Sequence, residues 1–387
     1  FNGLDALSLT EEDILAQIQY TVRKDAEGTN TIDFQAAEMK FVNGSTSEFI
    51  GLPMESFIAH HLRLSWNEDG VAQGFATTLT VTDENGSPVE GAEIVTADGT
   101  VIGVTNAEGQ LTTSALTETV RELRIQAAVG SRYSPVLTFA VLPHAGTPAP
   151  YNINVTMGQD PSTSRGFTWH TDPLTTGTVV QFVKESEFEG FDQANVQTVE
   201  GASSLFNTLD IGTIRVHKAT LTGLEPGTKY VYRVGDGEGN FSAQGSFSTA
   251  ASSGNKLKFL FIGDSQASNA AGFALWGDTL RKGLSDHPDA EFVIHAGDMV
   301  DRGFSEAEWN MWFAAAQEEL MNTSLVTVVG NHEVMGTKAN GDFLAHFNLP
   351  DNGIDSLKGT QFSFDYKNAH FVVLNSEYDY EAQAEWL

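Results

Sequence analysis

Three short polar motifs follow apolar runs in the last third of the chain, and each could help to hold a divalent metal ion. They are Gly-Asp-Ser-Gln at 263–266, Gly-Asp-Met-Val-Asp-Arg at 297–302 and Gly-Asn-His-Glu at 330–333. Carboxylate and amide oxygens are hard ligands that suit divalent cations. The motifs offer these oxygens on Asp264 and Asp298, which are carboxylates, and on Asn331, which is an amide.

The elements around these motifs follow an alternating strand and helix pattern. Residues 256–262 are predicted to form a buried strand, and two further strands are predicted to end just before Asp298 and Asn331. The motif spacing is regular, since 298 − 264 = 34 and 331 − 298 = 33, and each interval suits one strand–helix–strand unit. Parallel strands joined by right-handed crossovers end at one edge of a sheet, so the three side chains are predicted to converge.

Two helices are predicted between these strands. Residues 273–287 have a helical pattern, and residues 305–320 form a second helix with Ser305 as its N-cap and Glu308 at the third helical position. The glycine that precedes each motif residue lets the chain turn sharply into the cleft.

In this order and spacing, the three motifs resemble those of the calcineurin-like metallophosphoesterase superfamily. The resemblance implies that Asp264 binds the first metal ion, that Asp298 bridges two ions and that Asn331 binds the second. It implies that His332 lies near the leaving-group oxygen as a general acid or charge stabiliser. The cofactors would be two divalent or mixed-valence ions, drawn from iron, zinc, manganese and magnesium.

Two neighbouring positions resemble another branch of the superfamily, the phosphoprotein phosphatases. There, a carboxylate at the position of Asp301 orients the histidine, and an arginine at the position of Arg302 holds substrate phosphate. Purple acid phosphatases have an iron-bound tyrosine where this chain has Asp301, so we expect neither a purple colour nor a fixed preference for Fe(III).

Other histidine positions also differ from those of the superfamily. Other branches have a histidine where this chain has Gln266, which we expect to contact water or substrate. His295 is predicted to lie behind the metal ligands, and His346 and His370 are predicted to be structural. The superfamily's later histidine motifs do not follow, and 382–387 resemble the start of the helix that precedes them. We therefore expect the chain to stop within its domain, with the remaining histidine ligands beyond residue 387 and no activity in this form.

The preceding part of the chain has the alternation and turns of β-sandwiches. In the phrase LTGLEPGTKYVYRVGD, Tyr230 and Tyr232 alternate onto one strand face after the Pro226-Gly227 corner. This phrase resembles the fibronectin III-like N-terminal domain of purple acid phosphatases. An earlier series of short strands, with a turn at Asn85-Gly86, resembles immunoglobulin-like or carboxypeptidase-regulatory-like domains.

The predicted fold is therefore multidomain, with β-sandwiches followed by an α/β metallophosphoesterase domain that is an incomplete β-sandwich with flanking helices. Near the N-terminus, the sequence predicts a helix at about 10–22, and the adjacent His60 and His61 are predicted to be structural because neighbours on a strand face opposite ways. The predicted domains are 1–70, an N-terminal region; 71–146, immunoglobulin-like; 147–252, fibronectin III-like; and 255–387, metallophosphoesterase.

Composition limits the partners and the compartment. The chain has 51 Asp and Glu against 21 Lys and Arg, a net charge of −30, which repels nucleic acid and anionic membranes. Metal ions would give a phosphate substrate the positive charge that this surface lacks. The absence of cysteine excludes disulfides and thiolate chemistry, and no apolar run is long enough to span a membrane. We expect a secreted or surface-attached bacterial protein whose signal peptide lies outside this sequence.

The predicted activity is hydrolysis of small phosphate esters at a dinuclear centre, as in acid phosphatases that act on monoesters. A phosphodiesterase or nucleotidase is one alternative, and a non-catalytic surface binding protein with an incomplete domain is another. The motifs leave open the metal identity, the choice between monoester and diester, and the oligomeric state.

Overall fold

The computed structural model describes residues 29–34, 37–40, 46–49, 52–58, 62–66, 70–113, 116–130 and 132–387, the first four ranges by backbone alone. The helix predicted near residues 10–22 and the pair His60 and His61 lie outside the described residues. The chain forms two compact units, Phe1–Asp69 with Gly74–Val141 and Gly70–Gln73 with Leu142–Leu387.

The first unit consists of antiparallel strands. The strands are β1 Thr29–Phe34, β2 Ala37–Lys40, β3 Thr46–Phe49, β4 Leu52–Ile58, β5 Leu62–Ser65, β6 Gly70–Ala72 (in the second unit), β7 Thr78–Asp83, β8 Glu93–Thr96, β9 Val101–Val104, β10 Gln110–Thr112, β11 Val120–Val129, β12 Arg132–Tyr133 and β13 Leu137–Leu142. β1 pairs with β4 and β2 with β3, while larger sheets have the orders β10-β7-β5 and β13-β11-β8-β9, with β12 on β11.

The core of the first unit is built from alternate residues of its strands. Leu79 and Val81 of β7 are buried, and so are Ile125 and Ala127 of β11. Burial of every second residue leaves each sheet with one apolar face, which is the requirement for a β-sandwich. The predicted β-sandwich fold is confirmed for this part of the chain.

The second unit contains the three motifs and most of the helices. Its further strands are β14 Tyr151–Met157, β15 Arg165–Thr171, β16 Val179–Lys184, β17 Gln197–Glu200, β18 Ala202–Asn207, β19 Thr213–Leu221, β20 Lys229–Gly235, β21 Gly245–Ser248, β22 Leu260–Ile262, β23 Val293–His295, β24 Leu325–Thr327, β25 Phe362–Tyr366 and β26 Ala369–Val373. Its α-helices are α1 Ala270–Asp286, α2 Glu306–Ala315, α3 Gln317–Asn322, α4 Gly341–His346 and α5 Tyr380–Trp386, with 3-10 turns at Glu185–Glu187 and Asp355–Leu357.

One mixed sheet of seven strands runs through the second unit in the order β18-β19-β15-β14-β24-β23-β22. The β18, β19, β15 and β14 strands are antiparallel neighbours, whereas β24, β23 and β22 are parallel. The two halves meet where β14 pairs with β24 in parallel, with Thr156 opposite Leu325. A four-stranded sheet, β17-β16-β20-β21, and the β25-β26 pair complete the unit.

An aromatic core packs between the antiparallel part of this sheet and the four-stranded sheet. Tyr230 and Tyr232 of β20 both belong to it, as the predicted strand face requires, and they pack near Phe167 and Phe247. The Tyr232 hydroxyl donates to the backbone carbonyl of Met321 in α3, at 2.9 Å. The core of the fibronectin III-like part therefore includes a residue from the region of the three motifs.

The helices pack on the parallel strands through a tryptophan cluster. Trp276 of α1 stacks on Trp312 of α2 with ring centroids 5.0 Å apart, and both are buried. The helix predicted at 305–320 is divided in two by Ala316, whose backbone (φ −131°, ψ 22°) leaves the helical region. The α1 helix begins after Asn269, whose side chain accepts from the Gly272 amide.

The start of α2 differs in detail from the prediction. Ser305 is the N-cap residue, but its hydroxyl donates to the carboxylate of Asp210 at 2.8 Å and makes no capping bond within the helix. The Asp210 carboxylate accepts from the backbone amides of Glu306 and Ala307, at 3.1 Å each. An acid in the β18–β19 loop therefore caps this helix.

The strand predicted to be buried at 256–262 is an edge strand, so that part of the prediction is wrong. The β22 strand is the last in the seven-stranded order, and its central residue, Phe261, is 68% exposed. An apolar sequence fixes the strand conformation but does not show which strand of a sheet lies outermost. Among the described residues, no helix combines the length and apolarity needed to span a membrane.

Candidate metal centre

The three motifs follow neighbouring parallel strands, and their loops meet. Asp264, Asp298 and Asn331 come shortly after β22, β23 and β24, which are paired in that order. The Asp264 amide donates to the Gly297 carbonyl at 3.2 Å, and the Gln266 amide donates to the Asp298 carbonyl at 3.0 Å. The first two loops are thus hydrogen-bonded to each other at the strand ends.

Asp264 and Asp298 hold a backbone conformation that is uncommon for any residue except glycine. Their φ angles are 52° and 54°, in the left-handed region. Such conformations require support from the surrounding structure and are concentrated at ligand-binding and active sites. Two strand-end aspartates share this strained conformation, which makes both of them candidate ligand-binding residues.

The second and third loops are in direct contact. A Cβ atom on Gly330 would lie 2.2 Å from Oδ1 of Asp298, and one on Gly297 would lie 2.8 Å from the Gly330 amide nitrogen. The His332 amide donates to Oδ1 of Asp298 at 3.2 Å. Glycine is therefore required at both positions by close approach, and Asp298 is held at the centre of the motif loops.

The buried side chain of Glu333 joins the second and third motif loops by hydrogen bonds. Its carboxylate is fully buried and accepts from the amides of Asp298 at 2.8 Å, Met299 at 2.7 Å and Gly330 at 2.9 Å. Burial raises the pKa of Glu333, and the three amides oppose that rise. Sequence reasoning gave this residue no role. The sequence feature that could have indicated this role is an acidic residue directly after the strand-end turn, where backbone amides need an acceptor.

His332 is oriented through Asp301. Its Nδ1 lies 2.6 Å from the Asp301 carbonyl oxygen, while the Asp301 carboxylate is farther away, at 3.8 Å. The hydrogen bond to that carbonyl raises the pKa of His332, as do the nearby carboxylates, against a smaller effect of burial. The geometry thus links the two residues as the resemblance implies, but the backbone carbonyl is the nearest acceptor.

Arg302 is paired with Glu308. Its Nε and Nη2 lie 2.8 and 2.6 Å from Oε1 of Glu308, and its backbone amide donates to Oε2 at 2.8 Å. Glu308 is buried, and this pairing raises the pKa of Arg302. The structure therefore holds the guanidinium on an acid of α2, and a role on substrate phosphate stays a prediction.

Gln266 and His295 lie behind the first motif. Nε2 of His295 is 2.8 Å from the Ser265 hydroxyl, which also accepts from the Trp312 indole at 2.9 Å. Burial lowers the pKa of His295 to about 3, so the ring is neutral near pH 7. Oε1 of Gln266 is buried and lacks a hydrogen-bond partner among the described residues.

The donor set fits a hard divalent cation. Asp264 and Asn331 are exposed and Asp298 is half-buried, so two carboxylates and one amide are accessible to solvent in the strand-end loops. Oxygen donors of this kind suit magnesium, manganese, iron or zinc. The buried Oε1 of Gln266 is an additional acceptor beside them that a metal-bound or free water could satisfy.

Comparison with known proteins matches both halves of the second unit to families. Residues 150–249 match the purple acid phosphatase N-terminal domain, and residues 257–383 match the calcineurin-like phosphoesterases. This last part of the chain is similar to the calcineurin-like phosphoesterases. The combination confirms the resemblance to purple-acid-phosphatase-like metallophosphoesterases on which the site assignment depends. The loops that contain Asp264, Asp298 and Asn331 all lie within the residues that match the calcineurin-like phosphoesterases.

Solved structures similar to this chain have low sequence identity. A purple acid phosphatase from yellow lupin (Lupinus luteus) seeds is 15% identical, with a TM-score of 0.49, over 83% of this chain and 68% of that one. Fibronectin domains of chicken CNTN1 are 14% identical, with a TM-score of 0.24, over 55% and 74% of the two chains. The fibronectin(III)-like modules of Clostridium thermocellum CbhA are 15% identical, with a TM-score of 0.22, over 48% and 92%. No curated protein matches the chain.

Proposed function

We propose that the protein hydrolyses small phosphate monoesters at a centre of two metal ions held by Asp264, Asp298 and Asn331. The observation that carries this proposal is the joined set of strand-end loops: backbone hydrogen bonds join the Asp264 and Asp298 loops, and Glu333 joins the Asp298 loop to the loop of Asn331. Bound divalent ions supply the positive charge and Lewis acidity that phosphate ester hydrolysis requires. They would also offset the net charge of −30 near an anionic substrate.

His332 would supply a proton to the leaving group. Nδ1 of His332 donates to the Asp301 carbonyl, so Nε2 is the nitrogen that can exchange a proton with a leaving-group oxygen. The hydrogen bond to the Asp301 carbonyl raises the pKa of His332 and so favours the protonated ring. A positioned general acid of this kind contributes about 10²–10⁴ in rate.

Paired assays test the proposal. Metal-depleted full-length protein should be supplied with zinc, manganese, iron or magnesium and given p-nitrophenyl phosphate or bis(p-nitrophenyl) phosphate. We expect metal-dependent turnover that favours the monoester and is lost, together with bound metal, in Asp298→Asn. Asp192→Asn, an exposed acid in the β16–β17 loop, is the control and should behave as wild type.

The two alternatives predict different results. Preference for the diester would favour a phosphodiesterase or nucleotidase. Retention of metal without turnover of either ester would favour a non-catalytic binding protein. Failure of the wild-type chain to bind any metal through Asp298 would refute the assignment of the strand-end loops as a metal centre.

We also propose that the protein works outside the cell or at the cell surface. Support comes from its acidity, which keeps a protein soluble and away from nucleic acid, and from the β-sandwich unit that precedes the motifs. Fractionation of the source cells, with detection of this chain by antibody, tests the location. Detection in the cytosolic fraction alone would contradict it.

A further inference from the structure

A second cluster of ionisable side chains lies in the second unit and uses none of the strand-end residues. It consists of His170 on β15, Glu306 at the start of α2 and His346 at the end of α4, and each is at most 2% exposed. Nδ1 of His170 lies 3.4 Å from Oε1 of Glu306, and Nε2 of His346 lies 3.2 Å from Oε2. One ligand atom from each residue lies within 4.8 Å of the other two.

Backbone carbonyls fix the tautomer of both imidazoles. Nε2 of His170 is 3.1 Å from the Ala345 carbonyl oxygen, and Nδ1 of His346 is 2.6 Å from the Asp342 carbonyl oxygen. A carbonyl only accepts, so these nitrogens carry the hydrogens. In each neutral ring, the lone pair is therefore on the nitrogen that faces Glu306.

This arrangement is unfavourable without a cation. Two lone pairs face the oxygens of a buried carboxylate, and Oε1 of Glu306 and Nε2 of His346 have no hydrogen-bond partner among the described residues. A proton on one imidazole would also relieve the repulsion, but it would place a charged ring in a fully buried site, which costs desolvation. A metal ion relieves it without protonating either ring.

The distances and chemistry match a zinc site. Zinc–nitrogen and zinc–oxygen bonds of about 2.0–2.1 Å in a tetrahedron leave about 3.4 Å between ligand atoms, and each imidazole nitrogen lies at about that distance from one of the two Glu306 oxygens, 3.4 Å from Oε1 and 3.2 Å from Oε2. Histidine ligands usually donate their other ring N–H to a carbonyl or carboxylate, as both imidazoles do. Asn152 lies beside the cluster, where its Nδ2 is 3.4 Å from Nδ1 of His170 and donates to Oδ1 of Asn310 at 2.6 Å.

We propose that His170, Glu306 and His346 bind a structural divalent transition-metal ion, with zinc the best match. The three ligands come from a strand of the fibronectin III-like part and from two helices of the phosphoesterase part. The ion would therefore connect the two parts from within, separately from the candidate catalytic centre.

The test removes the catalytic centre first. The Asp264→Asn/Asp298→Asn double variant, unfolded in chelator and refolded with zinc, should retain one zinc ion per chain by elemental analysis. Adding His346→Gln should remove that ion. Adding His370→Gln should not, because His370 is an exposed histidine paired with Asp365. Refolding with Co²⁺ should give the strong visible absorption of a four-coordinate ion, which His346→Gln should abolish.

A second measurement covers the case in which His346→Gln does not fold. In the double variant alone, chelator should lower Tm by several degrees and zinc should restore it. If that variant refolds without a bound ion and its Tm does not respond to zinc, the proposal is overturned and the cluster holds a proton instead. An ion that persists equally in the folded His346→Gln variant would also overturn it.

Discussion

Replacing Glu333 by glutamine should loosen the loops that hold Asp298 and Asn331 while preserving the size of the side chain. The Glu333 carboxylate accepts from three backbone amides, two on Oε2 and one on Oε1. A glutamine amide has only one oxygen, so its NH₂ group must face at least one of those donors.

The expected decrease in the free energy of unfolding depends on which of its two orientations the glutamine amide adopts, and we consider the more favourable one. With the amide oxygen in the place of Oε2, two bonds survive and the NH₂ group opposes the Met299 amide. Losing a hydrogen bond to a charged group costs about 1.5–3 kcal/mol, and a buried amide without a partner costs about 1–3 kcal/mol. These effects overlap, and removing a buried charge returns part of the loss, so we expect a decrease in the free energy of unfolding of about 2–3 kcal/mol.

Urea unfolding, followed by the fluorescence of the tryptophan cluster, measures this change, and calorimetric titration measures metal affinity. Glu385→Gln is the matched control, since Glu385 is exposed and its substitution should change stability by less than about 0.5 kcal/mol. Metal should bind more weakly to Glu333→Gln because the ligand loops are less well held. If the variant unfolds at the wild-type urea concentration and binds metal with wild-type affinity, Glu333 does not hold the loops and the reasoning is wrong.

Three further predictions concern other residues of the second unit. In the full-length protein, His332→Ala should keep its metal while turnover falls by about 10²–10⁴, whereas Asp298→Ala should lose both. Metal analysis beside kinetics checks this, and metal loss from His332→Ala would contradict the assigned role. Burial lowers the pKa of His217 to about 3, so the unfolded chain takes up a proton below about pH 6.5 that the folded chain excludes. Stability should therefore fall by about 1.4 kcal/mol per unit as pH drops from about 6.5 towards 3, and urea unfolding of His217→Gln should show a slope smaller by that amount; an unchanged slope would count against it. Asp210→Ala should lose about 1–2 kcal/mol of stability with the α2 cap, while the exposed Asp192→Ala should not, and equal unfolding midpoints would exclude the capping role.

The positions of the motif loops could be predicted from the sequence, because the local residue pattern and the spacing of the motifs indicate the same parallel arrangement of strands. Each of Asp264, Asp298 and Asn331 follows a glycine after an apolar run, and the spacing between them suits parallel strands with helical crossovers. The structure places all three after neighbouring strands. The left-handed conformation of both aspartates could not be read from the sequence, because it depends on the contacts between loops.

The rest depends on contacts between residues that are distant in sequence. The Asp210 carboxylate that caps α2 lies 96 residues before Glu306, and no local pattern connects the two. His346 was predicted to be structural from its helix alone, and its neighbours Glu306 and His170 become apparent only in three dimensions. The exposure of Phe261 likewise follows from strand order, which an apolar run does not specify.

The parallel pairing of β14 with β24 means that the two parts of the second unit cannot be separated without breaking a β-sheet. A cut in the stretch between the two family matches, after residue 249 and before residue 257, would leave β14 with a bare edge in one product and β24 with a bare edge in the other. Unpaired edges of this kind promote aggregation. The fibronectin III-like part is therefore not an interchangeable spacer, and recombination that swapped it alone would have to recreate the Thr156–Leu325 junction in every new pairing.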